Sequence, residues 1–79
     1  MARVKSPAII LSFTKTTDAM AVEKYCMANH LPGRLIPVPR EITAGCGLAW
    51  KAAPEDEDLL VSGLKEAGLN WSGLYHLEL

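Results

Sequence analysis

The spacing of apolar residues changes along the chain, and each change marks an element. "AIILSF", residues 8–13, is a continuous apolar run rich in branched side chains with Pro7 before it. It reads as a buried strand. After "TKT" the spacing becomes helical. At 100° per residue, Ala19, Val22, Cys26 and His30 share one face of a helix from about Thr17 to Asn29, with Met20 and Met27 at the flank and Glu23 on the same side. Thr16 or Thr17 suits the cap of that helix, and Asp18 suits the positive end of its dipole. Pro32-Gly33 ends it. Arg34 to Val38 forms a second strand. Pro37 and Pro39 make it short or place it at a sheet edge, because proline donates no ladder hydrogen bond. A loop of about eight residues leads to a third strand, "GLAWKA". "PEDEDLLVSGLKEAG" carries a full set of helix signals: Pro54 and acids at its start, Leu59, Leu60 and Leu64 as its apolar side, and Gly68 as its stop. "NWSGLYHLEL" closes the chain as a fourth strand. The order β-α-β-β-α-β predicts an α+β ferredoxin-like sandwich, a four-stranded antiparallel sheet with two helices on one face.

Composition narrows the function. Seventy-nine residues, 49% of them hydrophobic, predict one domain over residues 1–79. A chain this short buries only about 60% of its unfolded surface, so chemistry belongs on a surface loop or at a shared interface rather than in a deep pocket. The net charge of −1 offers nothing to nucleic acid. The charges are unevenly spread, however. Residues 1–51 hold seven Lys/Arg against three Asp/Glu, and residues 52–79 hold one Lys against six Asp/Glu. The run Glu55-Asp56-Glu57-Asp58 reads first as a helix start and second as a docking surface for a basic partner. The N-terminal apolar run is too short for a signal peptide or a membrane span. Two cysteines are too few for a disulfide framework. The expectation is a cytoplasmic protein with free thiols and no membrane partner.

One stretch carries candidate chemistry. In "IPVPREITAGCGLAW" Cys46 stands between Gly45 and Gly47. The expected topology brings this loop to the same end of the molecule as Thr14, Lys15 and the helix start at Thr16, Thr17 and Asp18. Gly68 and Asn70 arrive at the same level. A thiolate is the nucleophilic form of cysteine, and a helix N-terminus and nearby cations favour it. Lys15, Arg40 and Thr17 are the candidate anion contacts. Gly45 and Gly47 would leave the sulfur open and let backbone N–H groups face an anion. Asp18 would oppose this if it pointed the same way. The plain readings stand beside these. Cys46 also suits a tight turn, and Arg40 suits solvent or a pairing with Glu41. Cys26 reads as a small hydrophobe, and Glu23 as a hydrogen-bond or ion-pair partner. Trp50, Trp71 and the methionines read as packing. His30 and His76 have no ligand-spaced neighbours, so neither a metal nor another cofactor is expected. No phosphate loop, catalytic triad or carboxylate pair is present.

Three pieces, "LSFTKTTDAMAVEK", "RLIPVPREITAGCGLAW" and "PEDEDLL", resemble the small bacterial family described as putative selenium/sulfur carrier protein-like, from about Ile9 to Tyr75. The proline-x-proline-arginine run followed by a glycine-flanked cysteine is the specific part. The resemblance implies a carrier rather than a turnover enzyme. Cys46 would hold sulfane sulfur or selenium as a persulfide or perselenide, loaded by a donor such as a cysteine desulfurase and unloaded by an acceptor protein. The chain departs from the family pattern at Cys26, where an aliphatic helix residue is expected, and it has no Cys-x-x-Cys. The missing resolving thiol argues against a redox protein. The competing reading is a small interaction module, with Cys46 structural, that pairs as a homodimer or binds a protein partner.

Overall fold

The computed structural model describes residues 6–42 and 45–78. In chain order these are β1 (Pro7–Ser12), α1 (Thr16–Ala28), β2 (Arg34–Pro37), β3 (Leu48–Ala52), α2 (Glu57–Glu66) and β4 (Gly73–Glu78), with a 3₁₀ turn, Pro54–Asp56, leading into α2. The strands lie in the order β2-β3-β1-β4 and every neighbouring pair is antiparallel. This is the ferredoxin-like arrangement. β2 is an edge strand, where a proline costs no ladder bond.

Register sorts the side chains onto two faces. Leu11 opposes Trp50 and Leu74, and Leu35 opposes Trp50. These residues, with Ile9, Phe13 and Ala52, meet Ala19, Val22 and Cys26 of α1 and Leu60 and Leu64 of α2 in one buried cluster. Both helices therefore cover the same face. On the opposite face Ala8, Ile10 and Ala49 are buried together with Ile42, which comes from the loop after β2. That cover explains why β1 is an unbroken apolar run instead of an alternating one: both of its faces lose water.

The helix ends differ in part from expectation. Lys15, not a threonine, occupies the N-cap of α1, and no side chain caps that end. The stop of α1 is His30 at φ 54°, ahead of Pro32-Gly33. The Leu31 N–H donates to the Cys26 carbonyl at 2.8 Å, closing a Schellman motif. His30 thus leaves the apolar stripe and is exposed. Gly68 ends α2 as expected, at φ 72°, with Leu69 N–H donating to Leu64 O at 3.0 Å.

Met20 and Met27 are 58% and 70% exposed, and Leu59 is 56% exposed, so these three are not core. The physical reason is the narrowness of the buried stripe. α1 approaches the sheet through Ala19, Val22 and Cys26, all small, and Met20 and Met27, each one position past this stripe, point outward. Trp50 is core as expected. Trp71 precedes β4 and is half-buried against the same cluster.

Candidate functional site

The loop between β2 and β3 crosses the end of the sheet and is held at several points. Its first turn is closed by Ile42 N–H donating to Pro39 O at 3.0 Å, and Ile42 drops onto the helix-free face. Its base is closed by Val38 N–H donating to Gly47 O at 2.9 Å, which carries the β2–β3 ladder one step further. Between these points Gly45 lies against the end of β1. A Cβ at Gly45 would sit 3.1 Å from the Thr14 carbonyl oxygen and 3.7 Å from Thr14 Cα. Gly47 has φ 77° with open space around it. The two glycines therefore do different work: one allows close approach, and the other supplies a left-handed turn.

Cys46 is held between them. It is half-buried and packs against the helix–sheet core. Its thiol donates to the Leu48 carbonyl oxygen at 3.6 Å. Both cysteines are free. Cys26 is the contrasting case, fully buried, with desolvation pushing its thiol up to about 11 from an ordinary value of 9.0. It is a packing residue.

The other expected site residues are placed unevenly. Thr14 is where the loop meets β1, and its hydroxyl hydrogen-bonds the Ser72 hydroxyl at 2.5 Å. Ser72 in turn donates its backbone N–H to Ser12 O at 2.7 Å, which ties the approach to β4 to the same end. This Thr14–Ser72 link has no sequence signal, because 58 residues separate the pair. Lys15 and Thr17 are exposed at the start of α1, just after Thr14. Arg40 is exposed on the Pro39–Ile42 turn, whose anchor lies on the face away from the helices, whereas Cys46 packs on the helix side. Among the described residues no hydrogen bond or ion pair joins the side chains of Lys15, Thr17 or Arg40 to Cys46. Glu23 is half-buried without an ion pair among the described residues. A hydrogen bond there joins His76 Nε2 to Glu57 Oε1 at 2.6 Å, between β4 and α2. No group of three or more His, Cys, Asp or Glu among the described residues is placed to hold a metal ion. No helix among them is long and apolar enough to cross a membrane.

This end of the molecule can present one free sulfur beside a strand-to-helix junction. The start of α1 adds N–H groups without a side-chain cap, which carry the positive end of the helix dipole. In comparisons with known proteins, the family model described as "Putative Se/S carrier protein-like" matches residues 8–76. No curated protein and no solved structure gives a match.

Proposed function

Because the chain belongs to the putative Se/S carrier protein-like family, we propose that Cys46 is its carrier atom and holds sulfane sulfur or selenium between a donor protein and an acceptor protein. The observation that carries this reading is the contrast between the two thiols. Cys26 is sealed in the core, while Cys46 stands half-exposed on a loop braced against Thr14.

Loading is an exchange reaction. The Cys46 thiol gives up its hydrogen bond to the Leu48 carbonyl and loses its proton to solvent. The sulfur then attacks the terminal sulfur of a persulfide on the donor. A new S–S bond forms at Cys46, the donor's S–S bond breaks, and the donor leaves as a thiolate. No external oxidant or reductant is consumed, because the sulfane atom moves with its oxidation state unchanged. Selenium transfer follows the same steps. The start of α1, with Lys15 and Thr17, supplies positive potential and donors for the anionic product. Gly45 and Gly47 keep the loop in the shape that presents it.

Intact mass after incubation with a cysteine desulfurase and cysteine tests the proposal. The native chain and Cys26→Ser gain one sulfur mass that reductant reverses, and Cys46→Ser gains none. One observation favours the competing interaction module: Cys46 already packs against the core and donates its S–H. Absence of an adduct, together with a Cys46 that resists iodoacetamide in the folded protein, would establish that module and end the carrier reading.

A further inference from the structure

Two cations face each other across the β2–β3 ladder. Arg34 and Lys51 are register partners, one residue out of phase with Leu35 and Trp50 on the helix side. Their side chains therefore leave the helix-free face together, with Cβ atoms about 4.5–5.5 Å apart. Like charges placed directly opposite destabilise a sheet. Lys51 is half-buried on an interior strand, and neither cation has an ion pair among the described residues. The pair borders a groove of about 460 Å³, walled by Pro7, Pro32, Ala52 and Asp56. It lies toward the opposite end of β3 from Cys46, roughly 16 Å along the strand for five residues.

We infer that this groove binds a small oxyanion of the phosphate type. Arg34 offers a planar fork of donors to two oxygens, and Lys51 adds a compact second charge. A bound dianion turns the opposed pair from repulsive to shared. Asp56 leaves the groove one net positive charge and repels a second acidic group. Neither the carrier reaction nor Cys46 requires this site, so the two readings stand or fall separately.

The test is a titration of the full chain with inorganic phosphate, followed by amide shifts and by melting temperature, against sodium chloride at matched ionic strength. Saturable shifts at Gly33, Arg34, Lys51 and Ala52, and a higher melting temperature, are expected with phosphate alone. Arg34→Gln and Lys51→Gln each weaken binding at least about tenfold, as expected for loss of a charged hydrogen-bond partner. Asp56→Asn tightens it several-fold. A variant that fails to fold would lose binding without meaning, and the opposite sign at Asp56 guards against that. Linear shifts, shifts matched by chloride, saturation elsewhere on the surface, or unchanged affinity in Lys51→Gln would each overturn the assignment.

Discussion

Gly33 is the position where a single methyl group should do the most damage. It sits at φ 114° between the end of α1 and β2, and a Cβ there would strike the Trp50 indole nitrogen. The same atom would lie 2.6 Å from the Lys51 carbonyl oxygen and 2.9 Å from Trp50 Cε2. Trp50 cannot simply step aside. It is 2% exposed, is among the largest side chains of the core, and donates its indole N–H to Pro32 O at 3.1 Å. Three costs combine in Gly33→Ala. The left-handed backbone costs a residue with a Cβ about 1–2 kcal/mol. Displacing a packed side chain costs about 1–3 kcal/mol, and losing the Trp50 hydrogen bond costs about 1 kcal/mol. The expected loss is about 3–6 kcal/mol. A domain of this length has roughly 4–12 kcal/mol in total, so Gly33→Ala takes a large share of the stability. Gly68→Ala is the control, with φ 72° and nothing within 4 Å of the added Cβ. It should lose only the backbone part, about 1–2 kcal/mol. Urea unfolding followed by tryptophan fluorescence measures both. Equal losses in the two variants, or a loss below about 1 kcal/mol at Gly33, would refute the argument that contact with Trp50 dominates.

Three further predictions follow from the same packing. The Cys26 thiol is pushed up to about 11, so the folded state holds its proton more tightly than the unfolded chain between about pH 9 and 11. Stability should therefore fall with rising pH across that window, by up to about 1.4 kcal/mol per unit, and a Cys26→Ala comparison by denaturation at pH 8 and 10.5 should isolate the slope. Ile42→Ala empties the contact that pins the loop to the helix-free face; it should cost about 2–4 kcal/mol and accelerate iodoacetamide labelling of Cys46, and an unchanged labelling rate would show that the loop is held elsewhere. On α2, Leu60→Ala should cost about 2–5 kcal/mol while Leu59→Ser stays within about 0.5 kcal/mol, since Leu60 is fully buried and Leu59 is 56% exposed; equal melting temperatures would contradict the assigned helix face.

Much of the site was legible in the chain because local chemistry specifies it. A glycine-flanked cysteine after Pro37 and Pro39 marks a loop, and that loop resembles one family's central motif. The expected topology also brings the loop to the strand-to-helix junction, and there Gly45 meets Thr14. The rest depended on distance in three dimensions. Whether Arg40 reaches the thiol depends on which side of the sheet its turn is anchored. Ile42 decides that, through contacts with Ala8, Ile10 and Ala49 that are far apart in the chain. The Thr14–Ser72 bond and the opposed Arg34–Lys51 pair are likewise products of strand pairing.

By itself the sequence determined the element order, a proline strand that is short or at an edge, the stop at Gly68, and the inward face of Ala19, Val22 and Cys26. These follow from backbone restrictions and from periodicity, which act between near neighbours. Only the tertiary structure decided that Met20, Met27 and Leu59 face water, that His30 ends α1, and that a loop isoleucine closes the second face of the sheet. An apolar residue is buried only if another element arrives to cover it. That depends on how closely helix and sheet approach, which small residues at the contact set and no local spacing records.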